Sequence, residues 1–241
     1  MQSGTQGNRV AGERTQELTC KFCERTFQRE NSLASHMCEV KRRMLLENDK
    51  PYRMAFNIWR EFMKLSIPNT KKERTYEDFA RNRYFKDFVK FAKHVIDLNA
   101  MHPEDFVKFV VKNSIKLNDW CKDWVYEHYV RELNKRETVD RAVERSLLSM
   151  QAWALETGKP WQNFFKDISG PRAVQLIKTG RISPWVLFAT PQGQGLLTRL
   201  EPGQFDTVAE YIEPDVWRVR MYKNAEECRW INNVFEESGV Q

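Results

Sequence analysis

From Tyr52 onward the apolar residues recur at the spacing of an amphipathic helix, with Phe56, Trp59, Phe62 and Met63 three and four positions apart and Pro68 closing the segment. Thr75 with Asp78 three residues later forms a helix-start pair, and the next helix is predicted to run through Leu98 with Tyr84, Phe85, Phe88, Phe91, Ala92 and Val95 on its inner face. Pro103, followed by Glu104 and Asp105, opens another helix at its first turn. A long helix is expected from about Asn118 to Lys135, and another from Val139 to about Glu156, stopped at Gly158. Beyond Lys159 the chain is punctuated by Pro160, Pro171, Pro184, Pro191, Pro202 and Pro214, which predict short helices begun at proline. Trp185 to Phe188 reads as a short strand without an evident partner, and Trp217, Trp230 and Phe235 read as core anchors.

This periodicity predicts an all-α protein: a multi-helix globular body behind a small ββα unit. The expected division is a polar, disordered lead at 1–17, the ββα unit with a basic extension at 18–44, a helical domain at 45–158 and a C-terminal helical subdomain at 159–241. A length of 241 residues with 41% apolar and 12% aromatic content can bury cores of that size. The first 17 residues carry no apolar run of the kind an export signal needs, and no stretch of about 18 apolar residues occurs. No membrane partner is expected.

The ββα unit is carried by a stretch of different character, TCKFCERTFQRENSLASHMCEVKRR at 19–43. Cys20 and Cys23 are two residues apart, followed by Phe27, Leu33 and His36 in the spacing C-x2-C-x3-F-x5-L-x2-H. A unit of about 25 residues cannot bury enough surface to fold alone, so a metal ion must supply the difference. The pattern predicts one zinc ion, with Phe27 and Leu33 as a miniature core and a helix from Arg29 or Glu30 carrying His36 to the metal. The usual fourth-ligand positions hold Val40, Lys41 and Arg42, none of which binds zinc, which leaves Cys38. His36 and Cys38 lie about 200° apart on an ideal helix, so the helix must end at His36 for Cys38 to turn back. The alternatives are an open three-ligand site, which lacks a neighbouring base, and a redox Cys-x-x-Cys pair, which lacks its βαβ setting. Cys121 and Cys228 are isolated, so a reducing cytoplasm is expected rather than a disulfide framework.

Net charge is +6, and its distribution matters more than its size: residues 1–95 hold 20 Lys and Arg against 12 Asp and Glu, residues 96–241 hold 19 against 21. A basic N-terminal part points to a polyanionic partner. Counted along the short helix, Arg29, Ser32 and Ser35 occupy base-contacting positions, Arg29 being suited to guanine and the serines weak readers. Lys41, Arg42 and Arg43 offer phosphate contacts or a solvated linker. Lys71, Lys72 and Arg74 form a basic loop, and Lys86, Lys90 and Lys93 a basic helix face whose neighbouring rings belong to the core. No Gly-rich phosphate loop, nucleophile elbow or His-Glu-x-x-His occurs, and carboxylates such as Glu104 and Asp105 with Lys108 give only a faint nuclease pattern. The expected function is therefore non-catalytic nucleic-acid binding, DNA rather than RNA. Its alternatives are a protein adaptor gripping through the finger and a Trp-rich body, or a nuclease or other enzyme whose site no spacing reveals.

On Cys20, Cys23, Phe27, Leu33 and His36 the stretch resembles the three-Cys one-His branch of the two-Cys two-His zinc-finger superfamily. The whole layout also resembles uncharacterised zinc-finger proteins of large tailed bacteriophages, through Cys-Glu-x-Lys-Arg-Arg at Cys38–Arg43, Phe-Val-Lys-Phe at 88–91 and 106–109, and Ile-Ser-Pro-Trp-Val at Ile182–Val186. That resemblance implies action in the cytoplasm of an infected bacterial host, on phage or host DNA, transcription or replication, or on a phage or host protein. It implies no catalytic residues.

Overall fold

The computed structural model describes residues 18–68 and 73–240. The lead at 1–17 and the loop cations Lys71 and Lys72 lie outside the described residues. An all-α body follows a ββα unit made of β1 (Leu18–Thr19), β2 (Thr26–Phe27) and α1 (Glu30–Ser35). The two strands pair antiparallel with Leu18 opposite Phe27 and Thr19 opposite Thr26. Among the described residues no helix is long and apolar enough to cross a membrane.

The body divides by what its helices bury. The first core is built by α2 (Glu39–Leu45), α3 (Lys50–Ser66), α4 (Tyr76–Ala80), α5 (Phe85–Asp97), α6 (Pro103–Lys112) and α7 (Asp123–Arg136). Its centre is aromatic: Phe79, Phe88, Phe91, Phe106 and Trp120 are almost wholly buried, and the Trp120 ring meets Phe91 edge-on at 5.0 Å. The second core begins with α8 (Val139–Thr157) and continues through α9 (Phe164–Asp167), α10 (Gly170–Lys178), α11 (Pro184–Ala189), α12 (Pro191–Arg199), α13 (Pro202–Ile212), α14 (Pro214–Lys223) and α15 (Ala225–Glu237). The boundary between cores thus falls between α7 and α8, near residue 137, and not at 158. Gly158 does stop α8 in a left-handed conformation with φ 71°, but Ala142, Val143, Met150 and Trp153 give that helix to the C-terminal core.

The prolines act as their positions imply, each of Pro171, Pro184, Pro191, Pro202 and Pro214 sitting in the first turn of a helix, where a missing N–H costs nothing. Trp185 to Phe188 is part of one of these helices, α11, rather than a strand. Pro184 fixes its entry, and the Ser183 hydroxyl accepts from the Trp185 amide. A Cβ at Gly193 would lie 2.7 Å from the Leu187 Cα, so α11 and α12 approach as closely as they do only because that position has no side chain. Trp217 and Phe235 are core anchors, whereas Trp230 is 44% exposed.

Where one helix was expected from Thr75 to Leu98, two form. The Thr75–Asp78 capping box starts α4, but the helix ends at Ala80, and the Asn82 side chain accepts from the Tyr84 amide before α5 begins. Tyr84 consequently faces out, 42% exposed. The reason for the break lies 37 residues upstream: Arg43 donates to the carbonyl of Ala80 at 2.8 Å and of Asn82 at 3.2 Å, and its guanidinium lies 4.5 Å from the Phe85 ring centre. Tyr76 returns a hydrogen bond to the Arg43 carbonyl at 3.0 Å. An arginine here satisfies carbonyls that the end of α4 would otherwise leave open. Arg43→Met, which keeps the stem over Phe85 and removes the bonds, is expected to cost about 2 kcal/mol in urea unfolding and to speed amide exchange in α4 selectively. A cost below about 0.5 kcal/mol would show the clasp to be incidental. The long helix expected from Asn118 is likewise shortened, a single 3-10 turn at Leu117–Asp119 preceding α7 because Trp120 turns inward and its indole donates to the Ile115 carbonyl at 2.9 Å.

The two cores meet along a polar seam. Tyr126 donates to the Thr179 carbonyl at 3.1 Å and accepts from the Met101 amide at 3.0 Å, Tyr211 donates to Glu127 at 2.7 Å, and Lys135 pairs with Glu213 at 2.7 Å. At its centre Arg145 and Glu137 form an ion pair whose side chains are 2% and 3% exposed, with Ser183 donating to Glu137 at 2.8 Å.

Candidate metal centre

The knuckle between β1 and β2 is closed by Glu24, whose φ of 60° lets its amide bond the Cys20 carbonyl at 2.8 Å while the Cys20 amide bonds the Arg25 carbonyl at 2.9 Å. This turn points Cys20 and Cys23 to the same side. Phe27 packs its ring 4.8 Å from that of His36, and none of the residues of α1 is fully buried. The unit therefore has almost no apolar core of its own.

The helix ends where the ligand spacing requires. α1 stops at Ser35, His36 is extended with ψ 125°, and its amide bonds back to the Leu33 carbonyl at 3.2 Å. Cys38 is extended too, with ψ 166°, which returns its sulfur to the cluster and starts a new helix, because the same Sγ accepts from the Lys41 amide at 3.4 Å. The Sγ atoms of Cys20, Cys23 and Cys38 and a ring nitrogen of His36 all lie within 4.8 Å of one another, with Cys23 Sγ 3.2 Å from His36 Nε2. Four ligands of one tetrahedral ion with metal–sulfur bonds near 2.3 Å stand roughly 3.8 Å apart, so the group can hold a metal ion. The Phe22 amide, chief among the groups bonded to the Cys20 sulfur, holds that thiol below its ordinary range, which favours the ligating thiolate. At Cys23 the Arg25 amide pulls the same way but is outweighed by desolvation and the neighbouring thiols, which push it up.

The cluster is fastened to the body. Arg81, just past α4, donates to the Lys21 carbonyl at 2.9 Å, and Lys41 Nζ to the His36 carbonyl at 3.1 Å. α2 then runs from Cys38 into the Arg43 clasp.

The candidate nucleic-acid residues separate accordingly. Arg29, just before α1, and Ser32 and Ser35 on it are exposed, but the Ser35 hydroxyl donates to the Asn31 carbonyl at 2.8 Å, so its hydrogen faces its own helix. Of the basic triplet only Arg42 is exposed, since Lys41 folds onto the metal unit and Arg43 is a structural clasp rather than a phosphate ligand. Arg74 is half-buried. Lys86, Lys90 and Lys93, at i, i+4 and i+7 of α5, line one groove of about 390 Å3 between α2 and α5, floored by Leu46, Tyr52 and Val89. Glu39 at its edge pairs with Arg43 at 2.6 Å and with Lys86 at 3.6 Å, and Arg43 first and Lys86 second hold its carboxyl below the usual range. Lys90 and Lys93 make no ion pair among the described residues. Glu39 and Tyr52 were not legible as groove residues, because only the fold brings α2 and α3 against α5. Compared with protein-family models, curated proteins and solved structures, the chain matches none of them.

Proposed function

We propose that the chain is a zinc-dependent, non-catalytic nucleic-acid-binding protein in which the Cys20, Cys23, His36 and Cys38 ion orients α2 and thereby builds a phosphate-binding groove against α5. Three thiolates and an imidazole are the donor set of a structural zinc, and four protein ligands leave no position for a substrate. The observation that carries the reading is the convergence of Lys86, Lys90 and Lys93 on the groove beside the metal-capped helix, with Arg42 exposed on that helix. Contacts of this kind position a phosphodiester backbone and read little sequence. The poor reading set on α1 agrees with that. DNA is the favoured partner, and on the resemblance to phage zinc-finger proteins the setting is the cytoplasm of an infected host, in transcription or replication.

Lys90→Ala with Lys93→Ala and Arg42→Ala is expected to lower the slope of log affinity against log salt on duplex DNA by nearly three units, about 0.9 for each lost phosphate contact. For the unaltered groove those contacts alone weaken binding about 40-fold between 50 and 200 mM salt. An unchanged slope in a triple variant that melts normally removes the groove from the site. A second reading, the adaptor, draws on an apolar groove between α8 and α15, where Leu148 is 58% and Trp230 44% exposed. A partner held there would bind with little dependence on salt, so the same titration separates the two.

A further inference from the structure

A cleft of about 550 Å3 lies between α3 and α6. That volume falls within the range of small-molecule sites. Its floor is apolar: Ile58 is 4% and Val107 1% exposed, with Met54 beside them. One wall is a stripe on α3, Lys50, Arg53, Asn57 and Arg60, at i, i+3, i+7 and i+10. The opposite wall, on α6, carries Glu104, while Glu61 sits on α3 itself and is paired with Lys64 at 3.8 Å. Lys50, Arg53 and Arg60 form no ion pair among the described residues, neither with these carboxylates nor with any other. Three cations that share the cleft with the Glu104 carboxylate, without closing on it, leave both charges available to a ligand.

We propose that this cleft binds a free nucleotide, its phosphates on the Lys50, Arg53 and Arg60 wall and its base and ribose over the apolar floor. The separation of charge decides between ligands. A continuous nucleic-acid strand would carry phosphates past Glu104 at a repulsive cost, whereas a nucleotide is anionic at one end only. Its other end offers amino and hydroxyl donors, which the Glu104 carboxylate accepts, and a flat ring to cover Met54, Ile58 and Val107. The site is independent of the lysine groove, which lies on the α2 and α5 side of the body.

The test is isothermal titration of the zinc-loaded full chain with ATP, GTP and inorganic tripolyphosphate. Saturable one-to-one binding of ATP or GTP is expected, with tripolyphosphate about tenfold weaker for lack of a base. Lys50→Ala with Arg53→Ala and Arg60→Ala should weaken the nucleotide by at least about 30-fold through lost charge-assisted bonds. Glu104→Ala should weaken the nucleotide and leave tripolyphosphate unchanged. Lys90→Ala with Lys93→Ala, which tests the DNA groove, should leave nucleotide affinity within about twofold. The proposal fails if neither nucleotide saturates the protein by about 1 mM, if tripolyphosphate binds equally well, or if Glu104→Ala has no effect. Should the triple variant not fold, Arg53→Gln alone must still weaken nucleotide binding, and a folded Arg53→Gln protein with native affinity also overturns it.

Discussion

Removing the metal with a chelator is expected to unfold residues 18–38 while both helical cores stay folded. The unit has two strands of two residues each, a six-residue helix with nothing fully buried, and Cys20 as its one buried side chain. Against that, a structural zinc contributes on the order of 10 kcal/mol of folding free energy. The body draws its stability from aromatic burial that involves no ligand, so it should survive. Limited proteolysis should cut within 18–45 first, amide exchange should rise there and in α4 through the loosened Arg43 clasp, and most far-ultraviolet dichroism should remain. Cys20→Ser and Cys38→Ser should each reproduce the effect, and the purified chain should hold one zinc per molecule. A metal-free chain whose N-terminal unit resists protease as well as the native protein does would refute the role given to the cluster.

Glu137→Ala is expected to be the most damaging single change in the body. Its carboxylate accepts from Arg145 and from the Ser183 hydroxyl, and Arg145 also reaches Asn134 Oδ1 at 3.4 Å. Removing it strands a guanidinium whose side chain is 2% exposed and whose Nη1 already lacks a partner. Deleting one member of a buried pair costs about 3–5 kcal/mol, whereas replacing both by apolar groups of similar size is often neutral. Arg145→Met with Glu137→Leu should therefore recover most of the stability lost by Glu137→Ala alone. Because the pair sits where the cores meet, the single variant should also broaden urea unfolding towards two transitions, the C-terminal core separating from the first. A single cooperative transition displaced by less than about 1 kcal/mol would show that the seam is held by its tyrosines instead.

What could be read from the chain alone was governed by short-range rules. The Cys-x-x-Cys knuckle, the helix that has to stop for Cys38, the Thr75–Asp78 capping box and the helix-opening prolines each depend on residues within one or two turns of one another. The misreadings share the opposite property. The break after α4 depends on Arg43 from another helix, and a basic triplet in sequence gives no sign that its third member faces inward. Nothing local marks Arg145 as buried either, because Glu137 and Ser183 surround it only through the fold. α8 ends with an obvious glycine, yet its core allegiance is set by α11 and the C-terminal helices it packs on, which no local pattern encodes. Trp230 illustrates the same limit, since a large ring predicts burial and only the arrangement of α8 and α15 leaves it at the surface.

The sulfur of Cys38 closes one structural unit and opens the next, with no slack between them. An insertion of one residue between Cys38 and Arg43 would rotate the guanidinium about 100° around α2 and shift it about 1.5 Å, away from the carbonyls it holds. The N-terminal module is thus less a bead on a string than a key cut for one lock. Its register with the body is inherited from a single ligand position, and a standard finger transplanted with an ordinary spacer would arrive pointing the wrong way.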